Sequence, residues 1–288
     1  MNPIDRPTAG QPPAARTRQR ARAATTRGAI PWPLGVPALI GALFLLVPLV
    51  GLLVRAPWRN MGSILADSQV LDALRLSLIC ATAATAASVV FGVPLAWVLA
   101  RCTVRGITLL RALVTLPLVL PPVVGGVALL LAFGREGILG RLLDQWTGIT
   151  LPFTTAGVIV AETFVAMPFL VITVEGAFRA ADRGYEEAAA TLGASRLTVF
   201  RTVTIPLIAP SLLAGAVLCW ARALGEFGAT ITFAGNFPGR TQTMPLAVYV
   251  ALESNPDAAV ALSLVLLLVS IAVLAGLRDR WLNTGTGR

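Results

Sequence analysis

Four charged side chains lie within otherwise apolar segments, and these residues have the greatest potential for chemistry. Glu162 and Glu175 share one segment, and Arg222 and Glu226 share another. A charge near the bilayer centre costs on the order of 3 kcal/mol, so such side chains face protein or water. The spacing of Arg222 and Glu226 is that of neighbours on a helix and predicts a mutual ion pair. The alternative is that Arg222 and Arg240 offer guanidinium groups to a passing oxoanion.

The usual catalytic and metal-binding combinations are absent from this sequence. It contains no histidine, and its cysteines, Cys80, Cys102 and Cys219, lack the spacing of a disulfide or metal site. It has neither a paired nucleophile and base nor a GxxxxGK[ST] phosphate loop. We therefore expect no catalytic residue, no metal and no cofactor on this chain, which argues against an intramembrane enzyme.

A polar stretch, EEAAATLGASRLTVFRTVTIPL, occupies residues 186–207 between two apolar segments. Asp182 is placed to cap a short helix with an alanine face, and Gly193 supplies the left-handed residue that ends it. Ser195 caps a second helix, and Pro206 marks where the chain turns into the next apolar segment. Small side chains permit close backbone approach, so this hairpin suits docking against another protein.

Six long apolar segments position these residues. The chain of 288 residues is 56% apolar and only 13% charged. A helix needs roughly 20 residues to cross a bilayer, and unpaired backbone is not tolerated in lipid. We therefore predict an all-α polytopic membrane protein with six transmembrane helices, at residues 34–54, 76–100, 112–133, 151–178, 207–228 and 258–277. The third must kink or unwind, because it contains Pro117, Pro121, Pro122, Gly125 and Gly126.

Arginine is the sole basic residue type, and its distribution predicts the orientation. Arginines cluster before the first segment and after the second, fourth and sixth. Such clusters mark the cytoplasmic side, so both termini are expected there. The net charge of +9 lies next to the membrane segments, which favours attraction to lipid headgroups over nucleic-acid binding.

The polar hairpin carries a family motif. Glu187-Ala188-Ala189, Gly193 after three further positions, and Val203-Thr204-Ile205-Pro206 after nine more resemble the EAA loop of bacterial ABC importer permeases. Only a valine for isoleucine and an isoleucine for leucine depart from the pattern. The resemblance implies the type I ABC importer (MetI-like) permease fold. It also implies that the loop contacts a separate ATPase subunit, through Glu186, Glu187, Ala188, Ala189, Gly193 and Pro206.

Two other stretches, 116–130 and 225–254, resemble the molybdate permeases of that family. The run Thr-Gln-Thr-Met-Pro-Leu at 241–246 is part of the match, whereas sulfate and thiosulfate permeases share 225–228 and 234–236 and then diverge. The resemblance implies molybdate as cargo, with tungstate second because the two oxoanions are nearly isosteric. The candidate residues of a pathway or gate are Pro121, Pro122, Gly125, Glu162, Arg222, Glu226 and Arg240. A sulfate or thiosulfate importer is the alternative, and a secondary anion transporter using Glu162 as a proton relay is a distant one.

The resemblance also implies partners and a domain organisation. A second copy would complete the path as a homodimer, two cytoplasmic ATPase subunits would bind ATP and Mg, and an extracytoplasmic binding protein would deliver molybdate. The setting is a bacterial cytoplasmic membrane. We expect a disordered tail at 1–29, the first membrane helix and an outer loop at 30–70, a permease core at 71–277 with the coupling loop at 182–206, and a cytoplasmic tail at 278–288.

Overall fold

A computed structural model describes residues 32–103 and 105–283, and all regular structure in these ranges is helical. The elements are α1 (Trp32–Arg55), α2 (Met61–Leu65), α3 (Ser68–Arg101), α4 (Ile107–Val119), α5 (Pro122–Phe133), α6 (Gly140–Thr147), α7 (Thr155–Ala180), α8 (Gly184–Thr191), α9 (Arg196–Val199), a π-helical turn (Phe200–Thr204), α10 (Ile205–Leu224), α11 (Gly228–Phe233), α12 (Met244–Ser254) and α13 (Pro256–Asn283). The predicted disordered tail at 1–29 lies outside the described residues. The last helix continues to Asn283, six residues beyond the predicted end of the sixth segment.

The described residues divide into two units, the first ending at Val54 and the second beginning at Arg55. In the first unit, α1 is apolar and long enough to cross a membrane, and it contains Pro37 and Pro48. The second unit contains all the remaining helices.

Five helical stretches in the described ranges are long and apolar enough to span a bilayer: Trp32–Arg55, Ser68–Arg101, Thr155–Ala180, Arg196–Leu224 and Pro256–Val273. The third predicted segment is instead divided into α4 and α5, because Leu120 and Pro121 adopt extended backbone between them. The proline-rich sequence therefore breaks this crossing, as its composition predicts. Six continuous membrane helices are therefore not found in the part of the chain that the structure describes.

Helices α3, α7 and α10 form the main core of the second unit. Small residues recur along the buried side of α3, at Ala81, Ala84, Ser88, Gly92 and Ala96. A Cβ atom on Gly92 would lie 3.2–3.3 Å from side chains of α7. Small residues let helices approach closely in lipid, where packing drives association. Helix α3 is therefore an interior helix.

The fifth predicted segment, 207–228, is also discontinuous, which corrects the expectation of one helix. Helix α10 ends at Leu224, Gly225 and Glu226 turn the chain, and α11 begins at Gly228. This second break lies against the first, because a Cβ on Gly228 would come within 2.6 Å of Pro122 Cβ. Nearby, a Cβ on Gly126 would lie 2.6 Å from Thr232 Cβ and 3.0 Å from the Ala229 oxygen. Residues 120–122 and 225–228 together are called the junction below.

The structure contradicts the prediction that the chain turns at Pro206. Helix α9, the π-helical turn and α10 form one continuous stretch from Arg196 to Leu224. Pro206 occupies the second position of α10, and the π-helical turn directly precedes that helix. A proline is tolerated in the first turn of an α-helix, where its missing N–H is not required. The chain therefore enters the membrane segment without leaving helical structure at this residue.

Candidate functional site

The coupling hairpin, residues 182–206, has the predicted caps at Gly193 and Ser195, whereas Asp182 lies one position before the observed capping position of α8. The carboxylate of Asp182 accepts a hydrogen bond of 2.9 Å from the Gly184 amide, although the residue flanking the helix is Arg183. Gly193 has φ +84°, and the amides of Gly193 and Ala194 donate to the carbonyls of Ala190 and Ala189. These two bonds define a Schellman motif, which requires a left-handed residue.

Ser195 begins the second helix of the hairpin, and its hydroxyl accepts a hydrogen bond of 3.2 Å from the Thr198 amide. This is the cap that the sequence predicts. The two capped ends define the turn between α8 and α9.

Glu186 connects the hairpin to two membrane segments, an arrangement that the motif alone does not indicate. Its Oε1 atom accepts a hydrogen bond of 3.0 Å from Arg101, at the end of α3, and one of 3.1 Å from the Thr204 hydroxyl, just before α10. The Arg101 side chain is 8% exposed. A buried, charged hydrogen bond of this kind is stronger than a neutral one. The carboxylate of Glu186 is therefore used within the chain.

The outer surface of the hairpin is apolar and unusually exposed. Tyr185 is 62% exposed, Leu192 89% and Leu197 60%, and α8 has no buried residue. Glu187 and Ala188 are also exposed, whereas Ala189 is half-buried. Exposed apolar patches bordered by polar residues mark interaction sites. This surface suits contact with another protein.

A cavity of about 130 Å³ within the second unit is lined by Leu120 and Pro122 of the junction. Its walls come from α4, α5, α7 and α10, and they include Pro117, Leu120, Pro122, Gly125, Phe164 and Arg222. Three of the predicted pathway residues, Pro122, Gly125 and Arg222, thus lie at one cavity. Phe164 and Phe169 come from the middle of α7, so Arg222 lies at the level of the middle of that helix.

Arg222 and Glu226 form the ion pair that their spacing predicts, with Nη1 and Oε2 2.6 Å apart. Glu226 lies in the helix break, after the end of α10. The second carboxylate oxygen of Glu226, Oε1, accepts a hydrogen bond of 2.8 Å from the Ala229 amide at the start of α11, so Glu226 connects the two helices. Glu226 is 1% exposed and both its oxygens have partners, whereas Arg222 is 28% exposed and borders the cavity.

Two other predicted pathway residues lie elsewhere. Glu162 is 1% exposed, and its Oε2 atom has no hydrogen-bond partner, but it does not line the cavity. Arg240 is exposed, and its backbone oxygen accepts a hydrogen bond of 2.8 Å from Thr155 at the start of α7. Phe164 lies nine residues further along that helix, about 13 Å at 1.5 Å per residue. Arg222 and Arg240 are therefore not brought together at one site.

Sequence reasoning missed a cluster around Glu175. The carboxylate binds Arg111 at 3.0 Å and Arg179 at 2.7 Å, so three charged groups from α4 and α7 share one place. Glu175 and Arg179 are four residues apart on a helix, a signal that the sequence contains. Arg111 is 64 positions away, and no local pattern indicates that contact.

These features define the class of the protein. Its described part is an all-helical, multi-pass membrane protein with an exposed hairpin between two membrane segments and paired helix breaks within its membrane segments. Among the described residues, no group of histidine, cysteine, aspartate and glutamate is arranged to hold a metal.

Comparison with known sequences gives the family. Residues 88–284 match the family described as binding-protein-dependent transport system inner membrane component, and the chain belongs to it. It is 49% identical over 245 residues to the molybdenum transport system permease protein ModB of Mycobacterium bovis, covering 85% of this chain and 92% of that one. ModB of Escherichia coli K12 is 42% identical, over 73% of this chain and 92% of its own. The sulfate transport system permease protein CysT of Salmonella typhimurium is 39% identical, over 84% of this chain and 88% of its own.

Solved structures show the same fold at low sequence identity. A chain of a bacterial ABC transporter involved in the import of the acidic polysaccharide alginate superposes with a TM-score of 0.69 at 16% identity, covering 96% of this chain and 99% of that one. The MetNI methionine ABC transporter in an inward-facing conformation gives a TM-score of 0.56 at 20% identity, covering 76% and 99%. The fold is thus that of an ABC importer permease.

Proposed function

We propose that this chain is the membrane-spanning subunit of an ATP-driven importer that moves molybdate, and tungstate with it, across a bacterial cytoplasmic membrane. The observation that carries this proposal is the 49% identity to a ModB protein over 85% of the chain. The related sulfate permease is 39% identical over a similar length, which makes a sulfate or thiosulfate importer the second candidate.

Six crossings follow if α4 and α5 together make one of them. The breaks at the junction leave backbone groups without helical partners, and such backbone is tolerated at membrane depth only when it contacts protein or lines a cavity. The cavity and the close contact of Gly228 with Pro122 meet that condition. The arginine clusters support a cytoplasmic location for both termini.

The cavity at the junction is the proposed narrow part of the anion path. Arg222 uses one nitrogen for Glu226 and borders the cavity, so it can offer its remaining donors to an oxoanion. Glu226 limits the net positive charge there. A path that neutralises its own arginine holds its cargo weakly, which favours release.

The hairpin is the proposed contact with the ATPase. It presents Glu187, Ala188 and Leu192 outward, while Glu186 binds Arg101 and Thr204. A force on α8 is therefore passed directly to the end of α3 and the start of α10. When two ATPase subunits bind ATP with Mg and close, the hairpins of two permease copies move together, and the halves rock between inward-facing and outward-facing states. An extracytoplasmic binding protein supplies the anion.

The cargo is tested by uptake of labelled molybdate into vesicles containing the full transporter. We expect saturable, ATP-dependent uptake that excess tungstate inhibits strongly and excess sulfate inhibits weakly. Stronger inhibition by sulfate than by tungstate would support the sulfate importer instead.

The docking role is tested separately with Leu192→Asp. Because Leu192 is 89% exposed, the substitution leaves the fold intact but places a charge in the apolar contact. We expect the ATPase to be lost from the purified complex. Ile138→Asp, at a residue 82% exposed in the connector after α5, is the matched control and should retain the ATPase. Equal retention in both variants contradicts the assigned contact.

A further inference from the structure

A second and larger cavity lies at the arginine-rich end of the molecule. It has a volume of about 470 Å³ and lies between the end of α3 and the start of α4, with one wall from α7. Its polar lining comes mainly from Thr103, Arg105, Arg111 and Arg179. None of these residues belongs to the coupling hairpin or to the junction.

The arginines of this cavity exceed the acidic groups that contact them. Arg111 and Arg179 both bind the same oxygen of Glu175, at 3.0 Å and 2.7 Å. Arg105 is exposed and forms no ion pair among the described residues. The three guanidinium groups and the one carboxylate carry a combined charge of two positive units. The cavity therefore attracts a further anion.

Two of the guanidinium groups are held in fixed positions. The Nη2 atoms of Arg111 and Arg179 donate to the Leu99 carbonyl, at 3.1 Å and 3.4 Å, in the last turn of α3. Their side chains are nevertheless 36% and 52% exposed, so an anion can reach them. Positioned arginines of this kind favour phosphate oxygens.

The beginning of α4 adds a further attraction. Its flanking residue, Gly106, has φ +89° and no side chain to accept the first amides, and Ile107 lines the cavity. The 13-residue helix therefore directs free N–H groups and the positive end of its dipole towards this region.

Helix α4 also carries an apolar stripe next to the cavity. Leu109, Leu113 and Leu116 lie on one side of the helix and are 64%, 54% and 47% exposed. A phospholipid with its headgroup in the cavity would lay an acyl chain along this stripe. A free inorganic phosphate would make no use of it.

We propose that this cavity binds the phosphate of an anionic phospholipid headgroup, through Arg105, Arg111 and Arg179, at the inner surface of the membrane. The orientation rests on the placement of the arginines proposed above. The bound headgroup joins α3, α4 and α7 close to Arg101, where the hairpin is attached, so the lipid stiffens the base that the hairpin pushes against.

The proposal is tested by native mass spectrometry of the full chain, purified with its subunits after equilibration in phosphatidylglycerol or in phosphatidylcholine. We expect a retained phosphatidylglycerol and no retained phosphatidylcholine. Arg105→Gln should lower the affinity for phosphatidylglycerol about fivefold, since one basic side chain at an anionic lipid surface contributes about 1 kcal/mol. Arg105 makes no ion pair in the described chain, so its loss does not disturb Glu175.

Arg196→Gln is the matched control, because Arg196 is exposed at the same end but outside the cavity. It should retain the lipid as the unsubstituted chain does. Equal retention in Arg105→Gln and Arg196→Gln overturns the proposal. A second arm adds inorganic phosphate at millimolar concentration: continued retention of the lipid supports a headgroup site, and complete displacement identifies a site for free phosphate and overturns the lipid assignment. Neither arm depends on molybdate uptake.

Discussion

The coupling hairpin and the junction are both irregular parts of a helical protein, but they differ in where their contacts lie. Helix α8 of the hairpin has no buried residue, and Leu192 is 89% exposed. At the junction, Glu226 and Gly228 are buried, and so are Ala229, Thr230 and Phe233 of α11, whereas Pro121, Pro122 and Gly225 are exposed. The buried part of the junction is therefore packed within the chain, whereas the hairpin presents a surface for contacts that the single chain does not make. Substitutions at the junction should lower stability, and those on the hairpin should mainly affect activity.

The largest expected effect is from removing the cation at the junction. Arg222→Ala leaves Glu226, which is 1% exposed, without its ion-pair partner, and should destabilise the protein by about 3 kcal/mol. The measurement is unfolding of the purified protein in detergent. The double variant Arg222→Ala/Glu226→Gln removes both charges and should recover part of the loss. If the double variant loses as much unfolding free energy as Arg222→Ala and Glu226→Gln lose together when each is made alone, the two side chains do not interact.

A somewhat smaller loss is expected from Gly126→Val. The added Cβ would lie 2.6 Å from Thr232 Cβ and 3.0 Å from a backbone oxygen of α11, so α5 and α11 must separate. Overpacking of this kind costs about 1–3 kcal/mol. Gly176→Val on α7 is the control, because a Cβ there has no atom within 4 Å. Similar unfolding of both variants would mean that the close approach of α5 and α11 contributes little.

On the hairpin, Gly193→Val should separate activity from stability. Gly193 has φ +84°, and an ordinary residue in that conformation costs roughly 1–2 kcal/mol locally. The Schellman motif should open, so ATP-dependent uptake falls more than tenfold while membrane insertion and core stability are retained. Gly193→Asn is the conservative control, since asparagine tolerates this backbone. Normal uptake in the valine variant counts against the coupling role.

The smallest effect is expected from an exposed ion pair outside both regions. Arg135 and Asp144 are 3.3 Å apart, with side chains 75% and 28% exposed. Exposed pairs of this kind contribute about 0–1 kcal/mol. Asp144→Asn should therefore unfold almost as the unsubstituted chain does. If Asp144→Asn lowered the free energy of unfolding as much as Arg222→Ala does, burial would not explain why the Arg222–Glu226 pair contributes more than the Arg135–Asp144 pair.

The sequence predicts features that depend on neighbouring residues. The break at Pro121 follows from the proline ring, which removes a backbone donor and disrupts a helix. The left-handed backbone of Gly193 follows from the preference for glycine directly after a helix. The Arg222–Glu226 ion pair follows from the four-residue spacing of neighbours on a helix. The family and its fold follow from the spacing of the EAA motif, and comparison with known proteins confirms both.

Features that depend on distant residues were not predictable in this way. The contact of Arg101 with Glu186 joins positions 85 apart, and that of Arg111 with Glu175 joins positions 64 apart. The second helix break, at Gly225, contains no proline, and only the glycines at 225 and 228 mark it locally. It is stabilised by the partners of Glu226 on both sides of the break, which only the folded chain brings together.

The π-helical turn at Phe200–Thr204 joins α9 of the hairpin to α10. Such a turn accommodates one more residue than an α-helical turn does. Deleting that extra residue would therefore give regular α-helix and leave Leu197 facing nearly the same way relative to α10. Deleting a residue from the regular part of α10 would instead rotate Leu197 by about 100° relative to the rest of the helix, since each residue of an α-helix advances by that angle. The π-helical turn is thus a position where the chain length can change by one residue while the exposed side of the hairpin keeps its direction.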